Sequence, residues 1–349
     1  MGSGPVIALD ATYSLGRDLS GVGVYSREIL YGVARAHPEA KLIFCYRAHR
    51  LAGSLLGRLP PNVRRSLLSD WRGPRAAELF HGLNQRLPRI RFRRAVSTFH
   101  DLFVMSGEYS TPEFRSRFRE QARQAAENSD LIITVSEFTA GQVEQWLGVE
   151  RSRLRVIHHG VRTPASVPGE AGRENIILHV GAIQKRKNLA RLVEAFERTP
   201  PGWRLALAGS AGFGAEEILR RIEASPRRRQ IEVPGYISAA RRDRLYARAR
   251  VFAFPSLDEG FGLPVLEAMA WGVPVLTSNR SALPEAGGEA ALLVEPSDVD
   301  AIAGGLQQLC EDEGLREELR RRGRQRAAAA TWQAAVEKTW AVYTELLGR

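Results

Sequence analysis

Two carboxylates and two cations are the residues whose types and spacing suit chemistry on a charged polyol. Glu259 and Glu267 stand eight positions apart, with Gly260, Phe261, Gly262, Leu263 and Pro264 between them. Carboxylates accept hydrogen bonds from hydroxyls, and a sugar offers many. Arg186 and Lys187, inside the run Gln184, Lys185, Arg186, Lys187, Asn188, precede a helix-like pattern of Leu189, Leu192, Val193 and Phe196. Cations at a helix start are opposed by the backbone dipole, so the cluster needs a compensating anion, and a diphosphate would serve. His100 and Asp101 close the apolar run 95–99, and Gly21 and Gly23 lie in the turn 20–25 that follows a first apolar run at residues 6–9. A glycine-rich turn between strand and helix lets backbone N–H groups approach an anion. Its spacing is not that of a dinucleotide fingerprint, since position 26 is Ser.

These residues need strand ends to hold them. Residues 251–254 are an apolar run closed by Pro255, which predicts a buried parallel strand entering a loop. Gly260 and Gly262 free the backbone around Phe261, and Pro264 favours the first turn of a helix running to about Trp271 and stopping at Gly272. Glu259 then sits at the loop mouth and Glu267 in the first helical turn, both facing one small pocket. Open α/β sheets bind ligands outside the carboxyl ends of their strands, where this stretch would lie. Other strands are expected at residues 41–46, 80–82, 95–99, 131–135, 155–157, 176–181, 204–208, 231–233 and 291–294, with helices at about 24–36, 111–128 and 136–147. Residues 47–94 read as largely irregular, broken by Pro60, Pro61, Pro74 and Pro88.

No metal is expected. Asp298 and Asp300 follow Ser297 and precede a helical run, so they read as helix-start residues. His158 and His159 are adjacent on an extended segment, where side chains point to opposite faces.

A chain of 349 residues exceeds the size at which single cores stop growing, so two domains are expected, joined by the Pro- and Gly-rich stretch 161–174. Apolar residues make up 44% and charged residues 26%, as in ordinary globular proteins. No apolar run is long enough to span a bilayer and the start, MGSGPVIALD, has no signal pattern, which predicts a cytoplasmic protein. Cys45 and Cys310 lack metal-ligand spacing and read as reduced. The net charge is +11, and residues 1–160 carry 23 Lys or Arg against 15 Asp or Glu, whereas the remainder carries 27 against 24. Between Arg58 and Arg94, ten arginines meet only Asp70 and Glu78. That stretch favours an anionic partner, either a phosphorylated acceptor or the anionic inner face of a membrane, and no nucleic-acid motif accompanies it. The oligomeric state is left open.

Glu259, Gly260, Phe261, Gly262, Leu263, Pro264, Glu267, Ala268 and Met269, followed by Gly272, Pro274, Pro284 and Glu285, resemble the donor-site signature of glycosyltransferase family 4. The resemblance implies an α/β protein of the GT-B fold, two Rossmann-like domains with a cleft between them. Residues 1–160 would be the acceptor-binding domain, 161–174 the linker and 175–330 the sugar-nucleotide domain. Residues 331–349, with Trp332, Trp340 and Tyr343 on one apolar face, would be a helix packing back on the first domain.

By the same resemblance Arg186 and Lys187 hold the donor diphosphate, although Ala182 stands where many members carry Arg. Glu259 holds the sugar hydroxyls beside the backbone of Gly260, Phe261, Gly262 and Leu263, and Glu267 binds the ribose. Ile237 lies where backbone meets the nucleobase, Gly21 and Gly23 face the cleft, and His100 lies against the transferred sugar. The Arg-Lys-Asn variant is the one associated with mannosyltransferases. The resemblance thus implies a retaining, metal-independent hexosyltransferase with no cofactor, moving mannose from GDP-mannose to a glycan or lipid-linked acceptor in polysaccharide biosynthesis. The competing readings are a non-catalytic sugar-nucleotide binder, an epimerase on the same fold, and a hydrolase using both glutamates. The last is disfavoured here because Glu267 at a helix start would be ionised.

Overall fold

The computed structural model describes residues 4–16 and 19–348 of the chain. Its contacts divide the chain into two units. One comprises Met1–Met105, Thr111–Gly160 and Trp332–Arg349, and the other Ser106–Ser110 and Val161–Thr331.

Unit 1 is a seven-stranded parallel sheet of β1 (Val6–Asp10), β2 (Lys41–Arg47), β3 (Val63–Leu68), β4 (Leu79–Gly82), β5 (Ala95–Phe99), β6 (Leu131–Thr134) and β7 (Leu154–Val156). The spatial order is β3-β2-β1-β4-β5-β6-β7. All but the edges are near-continuous apolar runs, as strands covered on both faces must be. Helices start where a hydroxyl caps the first N–H groups: Ser20 for Gly21–Ala36, Thr111 with Pro112 for Pro112–Asn128, and Ser136 for Glu137–Leu147. The first of these helices therefore begins at Gly21, three residues earlier than its apolar period predicts. The stretch expected to be irregular also holds more structure, a short helix Ala48–Ser54 and the edge strand β3. Its consecutive polar residues Arg64, Arg65 and Ser66 disguise the strand. The connections from β3 to β4 and from β4 to β5 do lack helices, and there Phe92 stacks on Phe80 of β4 with ring centroids 4.1 Å apart.

The chain's last helix, Trp332–Leu347, packs within unit 1 against Gly21–Ala36. Trp340 stacks on His37 with ring centroids 3.7 Å apart. The buried Tyr343 hydroxyl lies 2.6 Å from His81 Nδ1, His81 Nε2 lies 2.8 Å from Thr98 Oγ1, and the Tyr25 hydroxyl meets the same Thr98 at 2.9 Å.

Unit 2 is a six-stranded parallel sheet of β8 (Glu174–Val180), β9 (Arg204–Ala208), β10 (Ile231–Gly235), β11 (Ala249–Phe254), β12 (Val275–Ser278) and β13 (Ala291–Val294). The order is β10-β9-β8-β11-β12-β13. The expected linker is not loose throughout. Buried Arg173 donates to the carbonyls of Tyr246, Ala249 and Trp271 at 3.1, 2.7 and 2.6 Å, which anchors the entry to β8. Among the described residues no helix is long and apolar enough to cross a membrane.

Unit 1 buries three histidines. Burial holds His81 at about 3 and His100 at about 4, and drives His159 well below its ordinary value. The unfolded chain takes up protons near pH 6.5 that the folded chain refuses until much lower pH. Stability therefore falls as pH drops from about 6.5 toward 4, by up to about 1.4 kcal/mol per pH unit for each such ring. Urea unfolding at pH 7, 6 and 5 should show that slope; a flat profile would mean that the rings accept protons in the folded state.

Candidate active site

Each sheet has one place where strand order reverses, between β1 and β4 in unit 1 and between β8 and β11 in unit 2. Such switch points leave a crevice at the carboxyl ends of the two strands. In unit 2 the chain leaving β8 carries Arg186 and Lys187, and the chain leaving β11 carries Glu259, so topology alone brings the two sequence motifs together.

Lys185–Lys187 form a single 3-10 turn, and Asn188 then adopts a left-handed backbone with φ 60°. Asn tolerates that conformation better than most residues. Its side-chain amide donates to the carbonyls of Pro255 and Pro296 at 3.0 and 2.6 Å, which ties the basic turn to the end of β11. The Leu257 N–H donates to the Arg186 carbonyl at 2.8 Å from the other side.

Glu259 is 7% exposed and lies between both cations. Arg186 Nη1 is 2.8 Å from Oε2 and also donates to the Asp258 carbonyl at 2.8 Å. Lys187 Nζ pairs with Oε1 and sits 4.6 Å from the centroid of the Phe254 ring. Burial pushes the Glu259 carboxyl up, but the two cations more than offset this and hold it at about 2. The anion that compensates the basic turn is thus a side chain of the same unit, where the sequence suggested only a diphosphate. The neighbouring Asp258 also interacts electrostatically with both cations.

The helix after this loop is Leu263–Ala270, with Pro264 in its first turn and no side chain capping it. Gly262 supplies the entry with φ 107°, and a Cβ there would meet Leu283 Cδ2 at 2.8 Å. Gly260 and Phe261 are buried ahead of it, and Leu263 is half-buried. Glu267 lies beyond the first turn, contrary to expectation, and its partners are those of a buried group. Arg242 Nη1 is 3.3 Å from Oε1, and the Tyr246 hydroxyl donates to Oε2 at 3.1 Å. Burial raises the Glu267 carboxyl above its ordinary value despite Arg242. That removes the reason given above for setting a hydrolase aside. The two glutamates share no hydrogen-bonding or ionic partner. Asp258, which sequence reasoning passed over, is also buried with its carboxyl raised by burial, and it accepts a hydrogen bond from the Ser106 hydroxyl. Ile237 is half-buried just after β10.

In unit 1, Gly21 and Gly23 form the first turn of their helix. A Cβ at Gly23 would lie 2.9 Å from the Tyr13 carbonyl oxygen, so that glycine serves close packing. His100 Nε2 is 2.9 Å from the Leu83 carbonyl and must donate to it, which makes Nδ1 the acceptor of a neutral ring. The ring meets Tyr25 edge-on at 4.7 Å and His159 at 5.5 Å. Asp10, the 1% exposed residue that closes β1 at the switch point, accepts the Thr12 N–H at 3.0 Å, and burial raises its carboxyl. Its only sequence signal is an acid ending the apolar run VIALD. Asp298 caps the helix Val299–Glu311 by accepting the N–H groups of Asp300 and Ala301.

Comparison with known proteins agrees with this architecture. Residues 20–164 match the family described as Glycosyltransferase Family 4, and residues 165–326 match Glycosyl transferases group 1. The O-antigen chain mannosyltransferase B of Escherichia coli is 32% identical over 281 residues, covering 76% of this chain and 74% of that protein. The MMP alpha-(1->4)-mannosyltransferase of Mycolicibacterium hassiacum is 31% identical over 241 residues, 66% of this chain and 58% of that one. The structure of a sucrose-phosphate synthase from Thermosynechococcus elongatus aligns with a TM-score of 0.80 at 23% identity, covering 99% of both chains. The chain belongs to glycosyltransferase family 4, and its two parallel α/β Rossmann-like units are those of the GT-B fold.

Replacing Glu259 with Gln leaves Arg186 and Lys187 as neighbouring cations with no anion between them. Breaking a buried pair in this way costs on the order of 3 kcal/mol. The thermal midpoint should fall, and inorganic pyrophosphate should raise it more in Glu259→Gln than in the unsubstituted chain. Equal shifts in both would show that the two cations are not exchangeable between a carboxylate and a phosphate.

Proposed function

We propose that the chain is a retaining, metal-independent mannosyltransferase that uses GDP-mannose and extends a glycan or lipid-linked acceptor at the inner membrane face during polysaccharide assembly. The observation that carries the reading is the buried trio of Arg186, Lys187 and Glu259 at the switch point of unit 2. Mannose is supported by the names of the relatives and by the Arg-Lys-Asn run. The alternatives of a non-catalytic binder or an epimerase are not favoured, because the relatives reported above are transferases.

In this reading unit 2 holds the donor. Departure of the nucleoside diphosphate builds negative charge on its phosphates, and Arg186, Lys187 and the uncapped helix start at Leu263 are placed to stabilise it. As the two cations turn toward phosphate, Glu259, which they hold ionised at rest, is freed to meet the sugar. An ionised Glu259 accepts hydrogen bonds from sugar hydroxyls and favours the cationic character at the anomeric carbon. The bond from that carbon to the diphosphate oxygen breaks, a bond to the acceptor oxygen forms on the same face, and the acceptor's proton passes to the departing phosphate. No separate general base is required. Glu267 and its partner Arg242 bind the ribose, and Ile237 meets the base. In unit 1, the neutral His100 offers Nδ1 to a hydroxyl.

Calorimetric titration with GDP, UDP, ADP and their sugar conjugates, without added metal, should select GDP-mannose. Glu259→Ala should abolish mass gain by the acceptor while the far-ultraviolet spectrum stays unchanged. A wild-type rate in that variant would overturn the mechanism. Selective binding of another nucleotide would overturn the choice of donor.

A further inference from the structure

The helix-free connections of unit 1, residues 69–78 and 83–94, do more than cover the sheet. They enclose a pocket of about 330 Å³ whose lining includes Trp71, Arg75, Ile90, Arg91, Phe92 and Arg93. We propose that this pocket binds a phosphorylated sugar, the charged head of the acceptor. The assignment to the acceptor rests on the transferase reading; the binding itself does not.

Three arginines, Arg75, Arg91 and Arg93, line the pocket. All three residues are exposed, and none forms an ion pair with an acidic side chain among the described residues. Arginines elsewhere in the chain are commonly paired, as Arg173's neighbour Arg250 is with Glu170, or Arg221 with Glu197. Like charges gathered around one concavity repel each other, and an anion that enters relieves them. Arginine's planar fork meets a phosphate by two parallel hydrogen bonds.

The apolar side of the pocket supplies the second half of the recognition. Trp71 is 75% exposed, and the Arg89 guanidinium lies 5.7 Å from its ring centroid. An indole face held in the open suits the C–H face of a pyranose, which carries slight positive charge against the electron-rich ring. Ile90 and Phe92 form an apolar floor, and Phe92 is fixed by its stacking on Phe80. The volume lies at the small end of ligand pockets, which run from about 300 to 1,000 Å³, so one sugar phosphate fits and a chain does not. A flat bilayer would not fill such a concavity.

The lining runs from Trp71, just past the carboxyl end of β3, to Ala77 and Arg93, just before the amino ends of β4 and β5. The pocket serves acceptor choice and not bond formation.

The experiment is calorimetric titration of the full chain, saturated with GDP to fill the donor site, with mannose 1-phosphate, mannose and inorganic phosphate. Flotation with phosphatidylglycerol vesicles runs in parallel. The chain should bind the sugar phosphate at least about tenfold more tightly than either fragment. Trp71→Ala and the double variant Arg91→Gln, Arg93→Gln should each weaken it about tenfold, while GDP and vesicle binding stay unchanged. Both changes are at exposed positions, and unaltered unfolding midpoints would confirm intact folding. Undiminished sugar-phosphate binding in Trp71→Ala, or equal binding of phosphate alone, would overturn the proposal in favour of general anion attraction. Loss of vesicle binding alone in the arginine variant would overturn it in favour of a lipid surface. If GDP fails to bind yet Trp71 still governs sugar-phosphate binding, the donor reading falls and the pocket stands.

Discussion

The carboxylate of Glu259 sets the terms for the rest of unit 2. Two cations beside an aromatic ring in a buried turn cannot persist without an anion, because the interior offers little of the solvation that water would give them. One carboxylate meets both, one oxygen to each, and so joins the exit of β8 to the exit of β11. The loop that carries Glu259 must then pass close to Leu283, which only a glycine at position 262 allows, and the following helix starts with no side chain capping it. A buried ion trio of this kind adds little stability over an apolar substitute. Its value lies in exchange: the cations have a carboxylate partner at rest that an incoming phosphate can replace.

Unit 1 solves the same problem of buried polarity without charge. Tyr343, His81, Thr98 and Tyr25 form a continuous hydrogen-bonded line from the last helix of the chain to the first. Both ring nitrogens of His81 are occupied, so each buried polar atom of the ring is satisfied while the imidazole remains neutral. The last helix is therefore part of the unit's core: without Tyr343 one nitrogen of a fully buried histidine loses its partner.

Most of the site was legible because it follows from strand ends. The run VFAFP announces a buried strand stopped by proline, and the glycines after it announce a backbone that must turn tightly, so the loop and helix of residues 259–270 lie where expected. The partners of each charge were not legible. Glu267 reads as a helix-start acid from spacing, but its true neighbours, Arg242 and Tyr246, come from another helix more than twenty residues away. Periodicity carries no record of such tertiary pairs. Asn188 reads as part of a binding motif, whereas its amide holds two carbonyls and its backbone turns left-handed. Edge strand β3 escaped notice because an edge needs no apolar face on its open side, and its arginines follow the pattern of a loop.

The same edge explains why the arginines gather where they do. Strands β3 to β5 are joined by connections without helices, so the sheet there is covered by side chains from irregular backbone: Phe92, Ile90 and the residues around Gly73. In the run Arg89, Ile90, Arg91, Phe92, Arg93 charged and apolar residues alternate in sequence, the arginines exposed and the apolar residues half-buried. The floor and the cationic rim of the pocket are consequently one structural fact. A helix in the same place would have spread its charges around a cylinder; the helix-free connection gathers Arg75, Arg91 and Arg93 at one pocket, and that gathering makes a covering segment a surface suited to an anion.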